Sequence, residues 1–319
     1  MRAVLRGVGS CLPGKVVTND DLSLIVDTTD EWIFRRTGIK RRCLVGEGET
    51  TADMATKAAE RALADAGISA TEVDLIVVAT ATPDKTLPSC ASMVQNRLGC
   101  SSAFSFDINA ACSGFIYGVS IVDSLIKMGQ VKVALLIGAE TMSRIVDWSD
   151  RTTCILFGDG AGACVFKADD SEGDRGIISV LLYADGSLND ILYTTGGVAS
   201  TQTAGHICMQ GTVLFEHAIL KLCSSISEVL KKCSVCIDDI DWFVPHQANI
   251  RIVDMVAKKL KFPREKVILD IEDHANTSAA SIPLAVSCAK RDGKLREGQL
   301  VLFAAMGAGL TWGAGLVRL

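Results

Sequence analysis

One order of helical and apolar segments occurs twice along this chain of 319 residues. In the first half, residues 51–67 have apolar positions at helical spacing and end at a glycine. An apolar strand at 75–82, a second at 104–110, a helix from about 113 to 128 and a strand at 133–139 follow. A duplicated pattern constrains the fold more than any single motif, because both copies must bury equivalent faces.

The second half repeats this order with little sequence identity. A helix over about 213–232 precedes strands at 242–248 and 267–271, a helix over 277–290 and a strand at 300–306. Strands that alternate with helices predict an α/β protein with mostly parallel sheets. We therefore expect two pseudo-symmetric halves.

Each half places a distinctive residue where a strand gives way to a helix. Cys112 follows Asp107 in DINAACSGF, and Asn276 follows Asp270 in DIEDHANTS. A pseudo-twofold axis between the halves would bring these two helix starts together at the centre. The pattern thus predicts one composite site.

The boundary between the halves is expected in a polar, turn-rich segment at 168–206, which also has the composition of a loop packing over a site. We predict an N-terminal half, residues 1–170, that carries the cysteine. The C-terminal half, residues 171–319, carries a histidine and the asparagine.

Composition excludes several classes of protein. A net charge of −5 with 22% charged residues does not favour a nucleic-acid binder, which needs a concentrated basic face. No run reaches about 18 apolar residues, and the N-terminus lacks the pattern of a signal peptide, so a cytoplasmic protein without a membrane span is expected. The 12 cysteines are then expected as thiols, and the lone CxxC of Cys233 and Cys236 does not predict a metal site.

Cys112 is the candidate nucleophile. Backbone N–H groups at a helix start stabilise an anion, so we expect a lowered thiol pKa and an oxyanion hole there. The alternative is a buried structural thiol, as expected for the other cysteines.

His246 is the candidate partner, since it ends the apolar strand WFVP, and strand ends present catalytic groups in α/β sheets. His274 is a competitor two residues before Asn276, and a structural histidine is the alternative for His246. Asn276 has two interpretations. Asparagine is favoured at helix N-caps, and its side chain can also act as a hydrogen-bond donor that does not titrate.

Six motifs in order carry a resemblance that spans nearly the whole chain: DEWIFRRTGI, DINAACSGF, DRTTCILFGDGAGA, PHQANIRI, NTSAASIP and GAGLTWGA. Together they resemble β-ketoacyl-acyl-carrier-protein synthase III, the initiating condensing enzyme of bacterial fatty acid synthesis. The resemblance implies a thiolase-like fold layered α/β/α/β/α. It implies a homodimer and no permanently bound cofactor, coenzyme A thioester being a substrate.

The resemblance also implies a mechanism. Cys112 takes an acetyl group from acetyl-coenzyme A, and His246 and Asn276 stabilise the enolate formed when malonyl-acyl carrier protein loses carbon dioxide. The products are acetoacetyl-acyl carrier protein, carbon dioxide and coenzyme A. The backbone N–H groups of Cys112 and Ala308 would form the oxyanion hole.

Binding roles follow by position in the family. The residues implied for coenzyme A and the acyl chain are Trp32, Arg36, Arg151, Gly211, Thr212, Ala248, Asn249 and Leu87, the last lining the primer pocket from the partner subunit. Those implied for docking the acidic carrier protein are Gln247, Ala248, Asn249, Ile250, Arg251, Lys258 and Lys259. Their alternative is ordinary helix-surface charge. Ala275 and Thr212 depart from the usual family residues, glycine and asparagine.

Other activities stay open at this point. A secondary-metabolite ketosynthase of the same fold shares the residues, and a cysteine-dependent acyl-coenzyme A hydrolase can use Cys112, His246 and Asn276. A thiolase needs a second catalytic cysteine and a hydroxymethylglutaryl-coenzyme A synthase a catalytic glutamate, and neither motif is found. Intact motifs argue against a non-catalytic scaffold.

Overall fold

The computed structural model describes residues 1–171 and 173–319. The strands in chain order are β1 (Arg2–Cys11), β2 (Lys15–Thr18), β3 (Arg41–Leu44), β4 (Leu75–Ala79), β5 (Phe104–Ile108), β6 (Val133–Thr141), β7 (Asp159–Asp169), β8 (Gly176–Ala184), β9 (Leu192–Thr194), β10 (Ile207–Met209), β11 (Trp242–Pro245), β12 (Leu300–Gly307) and β13 (Thr311–Arg318). The helices are α1 (Asn19–Ser23), α2 (Asp30–Thr37), α3 (Thr51–Ala66), α4 (Cys90–Leu98), α5 (Gly114–Lys127), α6 (Arg151–Cys154), α7 (Gly211–Cys233), α8 (Ile250–Leu260), α9 (Ile271–His274) and α10 (Ser281–Arg291).

Two central sheets share one arrangement. The first has the order β1-β7-β6-β4-β5, in which β4 is parallel to β5 and β6 while β7 is antiparallel to β6 and β1. The second has the order β11-β12-β13-β8, in which β11 is parallel to β12 and β13 is antiparallel to both neighbours. A parallel bridge from Phe243 to Val267 lies where β5 lies in the first sheet. The topology therefore repeats as the sequence pattern predicted.

The sheets and helices stack in five layers. Side chains alternate across each strand, so that Leu75 and Val77 face the central helices while Ile76 and Val78 face outward. Helices α5 and α10 lie between the sheets and share one core with both of them. Helices α3 and α4 cover the outer face of the first sheet, and α7 and α8 that of the second. The predicted α/β/α/β/α layering is confirmed.

Each central sheet contains strands from one part of the chain only: β1, β4, β5, β6 and β7 in the first, and β8, β11, β12 and β13 in the second. We propose on this ground the division into residues 1–170 and 171–319. Among the described residues, no helix combines the length and apolar character that crossing a membrane requires.

The predicted helix at 51–67 is confirmed as α3. Thr50 and Asp53 form a capping box at its start, and Gly67 ends it with a left-handed φ of 62°. The predicted strand at 267–271 is wrong, since only the bridge at Val267 forms. Beyond Val267, two backbone groups of this segment hydrogen-bond to the side chain of Gln247 instead of to a neighbouring strand. Gln247 Nε2 donates to Ile268 O at 3.1 Å, and Oε1 accepts from Asp270 N at 3.4 Å.

Three predicted strands end earlier than the sequence indicated. Strands β4, β5 and β11 stop at Ala79, Ile108 and Pro245, two or three residues before the predicted ends. The residues that follow form turns rather than ladder pairs. Those turns lie at the carboxyl ends of parallel strands, where α/β sheets bind ligands.

Candidate active site

Cys112 lies in a sharp turn between β5 and α5. Ala111 adopts a left-handed φ of 46°, and Ser113 N donates to Ala110 O at 3.1 Å to close a short 3₁₀ turn over Ala111–Ser113. Thr311 Oγ1 also donates to Ala110 O at 3.0 Å, which ties this turn to β13. Hydrogen bonds from both halves of the chain therefore fix the turn that contains Cys112.

His246 is anchored directly after β11. Its backbone N–H donates to Ala304 O at 2.8 Å, and its ring Nδ1 lies 2.6 Å from Ser281 Oγ. The same hydroxyl oxygen accepts the N–H of Gln247 at 3.3 Å, so its own proton is free to be donated to Nδ1. This pattern favours the tautomer in which Nε2 carries the ring proton. Burial lowers the pKa of His246 to about 3, so the ring is neutral.

Asn276 sits in a turn between α9 and α10. Its backbone N–H donates to Leu156 O at 2.9 Å, and its carbonyl accepts from Gly158 N at 3.0 Å. Its side-chain Oδ1 accepts the N–H of Ser278 at 2.9 Å. Because Oδ1 already accepts this hydrogen bond, the Nδ2 group of the carboxamide is available to donate to a ligand. The N-cap interpretation does not apply, since α10 begins five residues later.

One cavity of about 550 Å³ joins Cys112, His246 and Asn276. All three are buried, with 8%, 6% and 6% of their surface exposed. His274 does not line this cavity, and its Nδ1 lies 2.9 Å from Asp270 Oδ2. The structure thus brings the three candidates together and leaves the competing histidine outside the cavity.

The expected low pKa of the nucleophile is wrong for this structure. Burial raises the pKa of Cys112 to about 11, and the Glu140 carboxylate contributes in the same direction. Hydrogen bonds from the Ser278 hydroxyl and from the backbone N–H of Cys112 lower it by less. The desolvation of a thiolate therefore outweighs the helix-start amides.

The predicted oxyanion hole lies where β12 approaches the Cys112 turn. A Cβ on Gly307 would lie only 2.6 Å from Cys112 N, so only glycine allows this contact. Ala308 follows directly, and its carbonyl accepts from Thr311 Oγ1 at 3.0 Å. Within the described residues, the N–H groups of Cys112 and Ala308 donate to no other backbone group. Sequence reasoning missed Gly307, whose signal was a glycine at the end of a buried strand.

Trp32 lies at the mouth of the cavity beside two guanidinium groups. The Cζ atoms of Arg36 and Arg151 lie 4.6 and 5.0 Å from its ring centroid. Trp32 and Arg36 line the cavity, while Arg151 Nη1 donates to Asp27 O at 2.7 Å. An aromatic ring and cations in this arrangement can hold a planar base and a phosphate.

The implied tunnel residues also line the cavity. Gly211 and Thr212 begin α7, and Ala248 and Asn249 precede α8. Sequence reasoning missed the apolar wall, whose signal was the helical spacing along α7; its members from that helix are Leu214, Phe215, Ala218 and Leu222. Leu87 does not line the cavity of the single chain and is 82% exposed.

The implied docking surface needs one correction. Gln247 is fully buried and its Nε2 donates to Pro245 O at 3.0 Å, so it cannot contact a partner and instead supports the backbone. Arg251, Lys258 and Lys259 are exposed on α8, and Ile250 is partly buried.

Comparisons with known proteins agree with this site. The family model described as 3-oxoacyl-[acyl-carrier-protein] synthase III matches residues 106–186, and the model of its C-terminal part matches residues 230–319. The β-ketoacyl-[acyl-carrier-protein] synthase III of Anaplasma marginale is 65% identical over 320 residues, covering 100% of this chain and 99% of the relative. This chain belongs to that family.

Further similarities extend over nearly the whole chain. The synthase III of Ehrlichia canis is 58% identical over 318 residues, covering 100% of this chain and 99% of the relative. The crystal structure from Aquifex aeolicus has a TM-score of 0.95 at 48% identity, covering 99% of this chain and 100% of that one. The structure from Pseudomonas aeruginosa also has a TM-score of 0.95, at 41% identity, covering 100% and 98%.

Membership in the synthase III family confirms the main functional prediction. The chain is an acyltransferase of the condensing-enzyme type with the thiolase-like fold, and it acts in fatty acid biosynthesis. The priming β-ketosynthase of the R1128 polyketide pathway shares the fold at 34% identity, below these relatives. Family evidence therefore favours the fatty acid enzyme over the secondary-metabolite alternative.

Proposed function

We propose that Cys112 accepts an acetyl or other short acyl group from a coenzyme A thioester and condenses it with malonyl-acyl carrier protein. The products are acetoacetyl-acyl carrier protein, carbon dioxide and coenzyme A. The observation that carries this proposal is that the thiol, the imidazole and the carboxamide line one cavity of about 550 Å³. A covalent intermediate divides one difficult step into two easier ones.

In the first step the sulfur of Cys112 attacks the thioester carbonyl. Negative charge develops on the carbonyl oxygen, and the N–H groups of Cys112 and Ala308 would receive it. Gly307 supports this role, because the absence of a side chain lets β12 lie directly against the Cys112 amide.

In the second step His246 and Asn276 hold the thioester carbonyl of the malonyl group. Nε2–H and Nδ2–H are both neutral donors, and charge on the enolate that forms as carbon dioxide leaves strengthens both hydrogen bonds. A neutral imidazole suits this role, since a charged one would protonate the carbanion. The carbanion then attacks the acyl carbon and expels the Cys112 sulfur.

The remaining contacts suggest how substrates reach the sulfur. We assign the nucleotide of coenzyme A to Trp32, Arg36 and Arg151. The pantetheine chain would pass Gly211, Thr212, Ala248 and Asn249. Ile250, Arg251, Lys258 and Lys259 would meet the acidic carrier protein, whose approach a basic helix face steers.

We further propose a homodimer in which Leu87 borders the acyl pocket of the partner subunit. The exposure of Leu87 in the single chain supports this arrangement, because a large apolar side chain is then left to be covered. The role of the family in fatty acid synthesis supports the cytoplasmic location expected from the sequence. No permanently bound cofactor is needed for either step.

Labelled acetyl-coenzyme A tests the proposal. Mass mapping should find the label on Cys112, and carbon dioxide should be released only after malonyl-acyl carrier protein is added. Cys112→Ala should abolish labelling, while Cys164→Ala, which removes a buried thiol of β7 outside the cavity, should keep it. Steady release of acetate without the malonyl substrate would instead identify a hydrolase.

A further inference from the structure

Three side chains with metal-binding atoms meet outside the cavity, in the segments on either side of Asn276. They are Asp270, His274 and Cys288, and one ligand atom of each lies within 4.8 Å of those of the other two. All three residues are partly buried, and none of them lines the cavity. The cluster therefore has no part in the acyl-transfer steps described above.

The short helix α9 places two of these side chains one helical turn apart. His274 N donates to Asp270 O at 3.0 Å, and this spacing puts both side chains on one face, where His274 Nδ1 lies 2.9 Å from Asp270 Oδ2. Neighbouring segments hold the backbone of α9 in place. Gln247 Oε1 accepts the N–H of Asp270 at 3.4 Å, and Lys40 N donates to Glu272 O at 2.9 Å. Little ordering is then required when a ligand binds.

The second carboxylate oxygen of Asp270 has no hydrogen-bond partner among the described residues. This atom, Oδ1, is buried, and only 10% of the Asp270 side chain is exposed. The nearby guanidinium groups pair with other carboxylates: Arg41 Nε donates to Asp273 Oδ1 at 2.8 Å, and Arg291 Nε lies 3.7 Å from Asp292 Oδ1. A buried carboxylate oxygen is costly unless a donor or a cation binds it. Asp270 Oδ1 thus indicates a cation ligand.

The donor set of the cluster favours zinc. Zn²⁺ binds thiolate, imidazole and carboxylate groups, whereas Mg²⁺ and Ca²⁺ prefer oxygen ligands alone. Around a tetrahedral zinc ion, ligand atoms lie about 3.3–3.8 Å from one another. Ligand atoms that already lie within 4.8 Å of one another need to approach by only about 1 Å. Partial exposure of the three residues leaves a path for the ion to enter.

We propose that Asp270, His274 and Cys288 form a zinc site that links α9 to α10. The carboxylate, a ring nitrogen of the imidazole and the thiolate are the protein ligands. The Cys288 thiol loses its proton to solvent when the ion binds. Zinc binding is measured without either acyl substrate, so the outcome of that test is independent of the proposed function.

A zinc ion at this position holds the turn that carries Asn276. Ala275, directly after α9, has a φ of 59° and a ψ of −159°, a backbone conformation that favours glycine. On the other side of the turn, Ser281 Oγ lies 2.6 Å from His246 Nδ1, and Ser281 lies on α10 together with Cys288. The ion therefore connects the strained Asn276 turn to the helix that orients His246.

Cobalt substitution tests the site in the full-length protein. Co²⁺ added to the reduced, metal-free protein should give the near-ultraviolet charge-transfer band of a cobalt–thiolate bond. Cys288→Ala should abolish this band. Cys223→Ala, at another partly buried thiol, should keep it, and so should Cys112→Ala in the cavity. Asp270→Asn and His274→Gln should weaken Co²⁺ binding roughly tenfold or more, since each removes a ligand.

Unfolding with Zn²⁺ gives a second measurement. Zn²⁺ at about 100 times its Kd should raise the unfolding temperature by about 3 °C, and Cys288→Ala should lose this shift. Asp273→Asn is the matched control for charge, because Asp273 is an exposed acid of the same helix that pairs with Arg41, and this variant should bind Co²⁺ like the wild type.

Three results would overturn the zinc site. They are a wild-type protein without the thiolate band, a band that survives Cys288→Ala, and an equal loss of affinity in Asp270→Asn and Asp273→Asn. Circular dichroism in the presence of a chelator checks that each variant is folded. If Cys288→Ala is unfolded, Cys288→Ser takes its place, since a hydroxyl keeps the size of the side chain and cannot give the thiolate band.

Discussion

The reacting end of the cavity is made of groups that are neutral at pH 7. Burial suppresses the charge of Cys112 and His246, and Asn276 has no charge to suppress. Neutral donors gain strength only when charge develops on the substrate, which is the condition for stabilising a transition state over a ground state. At the scale of single residues, desolvation thus determines the charge of each group, and hydrogen bonds determine the orientation of each donor.

The raised pKa of Cys112 gives a pH prediction. Its rate of alkylation by iodoacetamide should rise about tenfold per pH unit between pH 7 and 10, because only the thiolate reacts and its pKa is about 11. Site-resolved mass spectrometry checks the curve, and a plateau for Cys112 near pH 8 would contradict the burial argument.

Ser281→Ala tests the orientation of His246. Loss of the hydroxyl removes the partner of Nδ1 and with it the preference for Nε2–H, so condensation should slow about tenfold. Acylation of Cys112 should stay unchanged, because it does not use the imidazole. Ser287→Ala, on the same helix α10, is the control. Equal loss of both half-reactions would show that Ser281 acts on the fold instead.

At the scale of elements, turns after strand ends supply the site and helices supply its surroundings. The Cys112 turn follows β5, His246 follows β11, and Gly307 ends β12. Each turn is fixed by hydrogen bonds to an element of the other half or to a neighbouring strand. Helix α7 provides an apolar wall of the cavity, and α8 carries Lys258 and Lys259 on the exposed surface outside it.

Gly307→Ala should disturb the contact between β12 and the Cys112 turn. The new Cβ would lie 2.6 Å from Cys112 N, so we expect about 1–3 kcal/mol of destabilisation and slower acylation. Gly14→Ala is the control, since a Cβ added there would have no other atom within 4 Å. Urea unfolding and single-turnover acylation measure the two effects. Unchanged values for both would mean that the turn can move away.

Charge reversal on α8 tests docking. Lys258→Glu with Lys259→Glu should raise the KM for malonyl-acyl carrier protein about tenfold at low salt and leave the KM for acetyl-coenzyme A unchanged. The same reversal at Lys15 and Lys132, exposed away from α8, controls for net charge. If the control pair raises the KM equally, binding depends on overall charge rather than on this helix.

At the scale of the whole molecule, the site exists because two similar halves pack face to face. Helix α5 of the first half and α10 of the second lie in the same central layer. Cys112 precedes one of these helices and Asn276 precedes the other. The pseudo-symmetry therefore brings Cys112 and Asn276 to one cavity.

Leu87→Phe tests the proposed contribution of the second subunit. An aromatic side chain should narrow the acyl pocket of the partner, so the ratio of isobutyryl to acetyl transfer should fall about tenfold. Leu24→Phe, at another leucine that is 86% exposed, is the control. Sedimentation should show a dimer for all three proteins. If the protein is a monomer and the ratio of isobutyryl to acetyl transfer does not change, Leu87 does not border the acyl pocket.

The order of apolar segments and the six motifs determined the fold class, the family and the three residues Cys112, His246 and Asn276. Helix α3 was predictable because its cap and its Gly67 stop are local signals. Only the tertiary structure decided the raised pKa of Cys112 and the burial of Gln247, because desolvation depends on what surrounds a group. Cys112, His246 and Asn276 lie far apart in the sequence, and the cavity that joins them arises only when the two halves pack together.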